Sequence, residues 1–118
     1  RLDAIGPADA VITSLRDRSG EAASVRFGQA GTFAYYVGGT KVRTNVPIRL
    51  DRWYRSVVTA DLDTKTYDWR LTDATGKQVL RVRKIPFRES STEQVSSICI
   101  SSSTAADGIR FDDVSVSR

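Results

Sequence analysis

Hydrophobic and polar residues alternate most regularly between residues 53 and 83. Tyr67, Trp69 and Leu71 fall at every second position around Asp68 and Arg70, and Leu80 and Val82 interleave with Arg81 and Arg83. A period of two marks a strand with one buried and one solvated face. The stretch predicts a three-stranded antiparallel meander over residues 54–62, 66–72 and 78–83. Two short polar turns connect it, Asp63-Thr64-Lys65 and Asp73-Ala74-Thr75-Gly76-Lys77, each opening on an aspartate that can cap its own turn.

The flanking chain is punctuated in the same way. Residues 10–15 are strand-like and run into Asp17-Arg18-Ser19-Gly20, with Gly20 placed for a positive φ. Residues 22–27 follow, then Gly28-Gln29-Ala30-Gly31, then a strand over 32–37 that ends on the hairpin dipeptide Gly38-Gly39. Residues 40–44 return from it, and Asn45-Val46-Pro47 is expected to interrupt, because proline cannot donate to a central ladder. Ile85-Pro86-Phe87 should break the pattern again, and the polar run 88–94 has room for one helical turn. Further strands are expected over 95–101 and 109–117. About nine short strands with Gly- and Asp-rich turns predict an all-β antiparallel sandwich or jelly roll, formed as one domain over residues 1–118.

Register in the second hairpin decides which side chains are core. An even loop puts Tyr67, Trp69 and Leu71 on one face with Leu80 and Val82, and Asp68, Arg70, Arg81 and Arg83 on the other. An odd loop, with a three-residue turn and a bulge, would place Tyr67 and Trp69 beside Arg81 and Arg83. Burying such a mixed face costs far more than a preferred turn gains, so the even register is favoured. Trp53 and Trp69 then read as packing residues more than as stacking platforms, and the arginines form the outer face.

Composition adds modest constraints. The 118 residues are 40% hydrophobic and 27% charged, an ordinary balance for a folded globular domain. No apolar run approaches the roughly 20 residues of a membrane-spanning helix, so no membrane is expected among the partners. The chain begins at Arg1 and contains no methionine, and it reads as a processed or excised piece of a longer protein. Its one cysteine, Cys99, lies in a strand-like alternation and cannot form an internal disulfide. The formal net charge of +4 is denser over residues 41–55 and 77–88. With no recognition helix, RNA-binding signature or Gly/Arg-rich tail, nucleic acid is not the expected partner. A solvated basic face or an anionic polysaccharide fits better.

Catalytic chemistry finds little support. The three glutamates, Glu21, Glu89 and Glu93, all fall in predicted turns or loops, whereas a glycosidase needs two carboxyl groups on one face. Asp61 and Asp63 share a face but sit at a turn, where aspartate is expected for turn geometry. The chain has no histidine, which removes the commonest acid–base partner for Tyr35, Tyr36, Tyr54 or Tyr67 and the base that a Cys99 nucleophile would need. Catalysis by this chain alone is not expected. For sugar binding, by contrast, exposed rings and charged groups suffice. The candidate ligand-binding residues are Arg70, Arg81 and Arg83, with Tyr36 and Trp53 as rings.

One longer pattern carries a resemblance. Trp53-Tyr54-Arg55, Val57-Val58 and Asp61-Leu62-Asp63-Thr64-Lys65-Thr66-Tyr67-Asp68 together resemble the hairpin of concanavalin A-like, laminin-G-like jelly rolls. Ile109-Arg110-Phe111-Asp112-Asp113-Val114-Ser115-Val116 resembles the closing strand of the same bacterial modules. The similarity covers roughly residues 22–117. It departs at Lys65, where many relatives carry glycine, and in having few strands before Ala10, as in the C-terminal portion of a longer sandwich.

The resemblance implies a secreted, extracellular domain of a bacterial polysaccharide-active protein, with a polysaccharide or oligosaccharide ligand and no required cofactor. A non-catalytic carbohydrate-binding or accessory module is the first expectation. Part of a glycoside hydrolase or lyase with its catalytic residues upstream is the second, and a ligand-free structural or interaction domain the third. Similar jelly rolls often place a structural Ca²⁺ near an aspartate of the closing strand, which makes Asp112 and Asp113 candidate metal ligands. A plain charged strand end is the alternative for that pair.

Overall fold

A computed structural model describes residues 11–27, 31–49 and 52–101. Eight strands follow one another: β1 (Val11–Asp17), β2 (Gly20–Phe27), β3 (Thr32–Val37), β4 (Thr40–Pro47), β5 (Tyr54–Asp61), β6 (Thr66–Asp73), β7 (Gln78–Pro86) and β8 (Ser97–Ser101). They form two antiparallel sheets, a five-stranded one in the order β4-β3-β2-β1-β8 and a three-stranded one in the order β5-β6-β7. The protein is an all-β sandwich, as the strand spacing predicts. The expected strand over 109–117 lies outside the described residues.

Both prolines expected to interrupt strands instead end them. β4 runs to Pro47, paired with Thr32, and β7 runs to Pro86, paired with Thr66. Each is an edge strand, where a missing N–H leaves no ladder bond unmade on the open side. The 88–94 segment forms a single turn, with Thr92 N donating to Glu89 O at 3.2 Å, and no helix. β3 stays paired with β2 only at Val25, Arg26 and Phe27. Beyond that point the carbonyls of Glu21 and Ala22 accept from Glu89 N and Arg88 N, each at 2.9 Å. The chain after β7 thus takes the place along β2 that β3 leaves.

The sheets meet on the aromatic positions that the alternation marks. Tyr67, Trp69 and Leu71 are buried, and Trp69 and Leu71 stand opposite Val82 and Leu80 on β7. This is the even register. Phe33 of β3 packs edge-on against Trp69 and Tyr54, with centroids 6.2 and 5.2 Å away, and Tyr35 meets Trp69 at 6.2 Å. Such edge-to-face pairs bring the positive rim of one ring to the negative face of another. Trp53 differs from the expected packing role: it remains 39% exposed immediately before β5.

The turns are held by aspartates, though not always by the expected one. Asp73 Oδ1 accepts from Thr75 N at 2.9 Å, Thr75 Oγ1 at 2.5 Å and Lys77 N at 3.1 Å. Chiefly the Thr75 hydroxyl, and then these main-chain groups, hold its carboxyl below the usual range. The β5–β6 turn is capped from Asp61, whose Oδ1 accepts from Asp63 N at 2.9 Å and Thr64 N at 3.2 Å. Lys65 follows at φ 56°, which is why glycine suits this position in similar hairpins.

Lys84 also has a left-handed backbone, at φ 53°. It sits where Arg83 and Lys84 together oppose Asp68, as a bulge in β7. A side chain in this conformation costs about 1–2 kcal/mol. The two lysines should therefore respond differently to glycine. Lys84 is exposed, and Lys84→Gly is expected to raise stability by about 1 kcal/mol in urea unfolding. Lys65 Nζ donates to the carbonyl of buried Thr92, so Lys65→Gly loses that bond and should gain little or nothing. Equal gains at both positions would contradict the assignment.

Candidate functional site

The outer face of the three-stranded sheet follows from parity. Trp69 and its even-register partners point inward, so Asp68 and Arg70 on β6, Arg81 and Arg83 on β7, and Arg55, Val57 and Thr59 on β5 point outward. Pairing aligns them in rows across the sheet: Val57, Arg70 and Arg81 form one, and Thr59 stands opposite Asp68 in the next. A depression of about 160 Å³ lies on this face, lined by Val57, Thr59, Asp68, Trp69, Arg70 and Arg81. It is too small to engulf a ligand of several rings, and fits one polar substituent of a molecule lying along the sheet.

Charge on this face is mostly positive. Arg55, Arg70, Arg81 and Arg83 are all exposed. Among the described residues, none of their guanidinium groups is held by a hydrogen bond or ion pair. Asp68, the acid among them, is committed elsewhere: its Oδ1 accepts from Lys84 N at 2.8 Å and ties down the β7 bulge. Like charges directly opposite on neighbouring strands destabilise a sheet, by up to about 1 kcal/mol. Arg70 and Arg81 are such a pair.

The structure brings together Arg70, Arg81 and Arg83 of the expected residues, and adds Arg55, Thr59 and Asp68. Tyr36 is elsewhere, on β3 in the other sheet. Arg88 lies over its ring at 3.9 Å and Arg26 at 5.0 Å, while Arg88 Nη1 donates to Glu21 Oε2 at 2.7 Å. The protein's own cations thus use that ring. Trp53 is exposed and precedes β5 by one residue, at the end of the strand that carries Arg55. Asp112 and Asp113 lie outside the described residues. Among the described residues, no group of three or more His, Cys, Asp or Glu side chains could hold a metal ion.

A second depression borders the β1–β2 turn, beside Asp17, Ser19, Glu93 and Gln94. Asp17 Oδ1 accepts from Ser19 N at 2.7 Å, Ser19 Oγ at 2.6 Å and Gly20 N at 3.1 Å, and its Oδ2 from Glu93 N at 3.1 Å and Gln94 N at 3.4 Å. The Ser19 hydroxyl first, and then the main-chain donors, hold this carboxyl well below the usual carboxylate range. Asp17 therefore pins the 91–94 loop to its own turn. An acid so occupied by internal donors has little basicity for a reaction. Of the other acids, Asp61 caps the β5–β6 turn and Glu21 pairs with Arg88.

No family model, curated protein or solved structure matches this chain. The residues of the site are therefore the ground for a functional reading.

Proposed function

We propose that this domain is a non-catalytic binding module of a secreted polysaccharide-active protein, and that it holds an acidic polysaccharide across the outer face of its three-stranded sheet. The observation that carries the reading is the cross-strand pair Arg70 and Arg81, two exposed arginines directly opposite each other that form no ion pair among the described residues. A bound anion relieves their repulsion, and a guanidinium pairs with a carboxylate through two parallel hydrogen bonds. Arg55 and Arg83 extend the charge along the sheet. The exposed ring of Trp53 and the resemblance to polysaccharide-associated jelly rolls favour a sugar polymer over other anions.

Affinity electrophoresis through gels containing polygalacturonate tests the reading. Retardation is expected, weakening as salt screens the contacts. Arg70→Ala and Arg81→Ala should each reduce affinity about tenfold or more, as loss of a charge-assisted hydrogen bond does. Either substitution also removes the like-charge pair, so stability in urea should be unchanged or rise slightly. Absence of retardation by every uronate and neutral polysaccharide tried would overturn the proposal.

A further inference from the structure

The depression between the arginines is not purely cationic, and its one acid sits where a ligand offering only anionic oxygens would be repelled. Asp68 lies on β6 two positions before Arg70, on the same exposed face, and lines the depression with Arg70 and Arg81. It forms no ion pair with either arginine among the described residues, so its charge is not cancelled locally. Its Oδ1 accepts from Lys84 N, whereas Oδ2 has no hydrogen-bond partner among the described residues. The Thr59 hydroxyl, exposed on the paired position of β5, completes the polar lining.

Each of these groups asks something different of a ligand. Two guanidinium groups require an anion. An ionised carboxylate only accepts hydrogen bonds, so it requires a donor such as an alcohol O–H. Polyphosphate at neutral pH offers anionic oxygens along its chain and no alcohol donor, and would bring like charge against Asp68. An acidic saccharide offers both, a carboxylate and ring hydroxyls a few ångströms apart on one unit. Discrimination of this kind works by penalising the wrong partner as well as rewarding the right one.

We infer that Asp68 is a specificity-determining residue, selecting hydroxyl-bearing acidic saccharides over plain polyanions on this face. The inference rests on the reading of the face as a saccharide site and names the residue that makes it selective.

The test is Asp68→Asn, which removes the charge but keeps an amide oxygen able to accept from Lys84 N. Urea unfolding of the variant checks that the β7 bulge survives. Affinities of wild type and variant are measured by titration calorimetry at one ionic strength, for polygalacturonate and for inorganic polyphosphate of similar length. Wild type is expected to prefer polygalacturonate. In the variant, polygalacturonate affinity should fall about threefold or more and polyphosphate affinity rise about threefold, a combined shift in preference of about tenfold. If wild type binds polygalacturonate and the preference does not move in the variant, the role of Asp68 is overturned while the saccharide site stands. If wild type binds polyphosphate but not polygalacturonate, the saccharide reading fails and this inference with it.

Discussion

Trp69→Ala will lower the unfolding free energy by about 3–5 kcal/mol, the usual range for removing a buried aromatic ring, and will bring the domain close to unfolding at moderate temperature. The ring is fully buried and touches Phe33 and Tyr35 across the interface between the sheets. Its Nε1 donates to Ser56 Oγ at 2.9 Å, so the substitution leaves a cavity and also removes that hydrogen bond. Urea unfolding followed by far-UV circular dichroism gives the loss directly. Fluorescence supplies a second readout, because Trp53 becomes the only tryptophan and is 39% exposed. Folded Trp69→Ala should therefore emit at longer wavelength than folded wild type. A loss below about 1 kcal/mol would mean that the ring does not bridge the sheets. Because Trp69 lies between Asp68 and Arg70, slack in the core would also loosen the outer face, and binding should weaken before the fold is lost.

That coupling explains why the outer face could be read in part from the sequence. On β6 and β7 every inward position that pairs across the hairpin is a large apolar residue, so parity alone places Arg70, Arg81 and Arg83 outside. β5 gives no such signal. Its inward face includes Ser56, polar because the Trp69 indole needs an acceptor, and its outward face includes Val57, so Arg55 and Thr59 are hidden in a blurred alternation. Asp68 is visible as an outward residue, but its bond to Lys84 N depends on a bulge that no local pattern announces. Asp17 is similar. A turn beginning there is legible, whereas its bonds to Glu93 and Gln94 span most of the chain. Tyr36 reads from sequence as a candidate ring for a ligand, whereas in the fold Arg26 and Arg88 lie over it, from elements that tertiary packing brings together.

Tyr67→Phe will cost about 1–3 kcal/mol although it removes a single oxygen. The Tyr67 hydroxyl enters the gap where β2 and β3 part, donating to Tyr36 O at 2.5 Å and lying 3.5 Å from Ser24 O. Beyond the Val25–Tyr35 pair these carbonyls have no ladder partner on each other's strand, and phenylalanine would leave Tyr36 O unpaired beside a buried ring. The same hydroxyl predicts a pH dependence. Burial pushes its pKa above the ordinary value of about 10. A raised folded-state pKa means that the unfolded chain loses its proton first. The contribution of Tyr67 is therefore complete below about pH 10 and declines as pH rises further. Urea unfolding at about pH 8 and about pH 11 should show the gap between wild type and Tyr67→Phe narrowing at the higher pH. Taking the difference between the two proteins cancels the titration of the lysines and the other tyrosines. A gap that stays constant over this range would show that the hydroxyl is not held in the buried split, and that β2 and β3 are joined there in some other way.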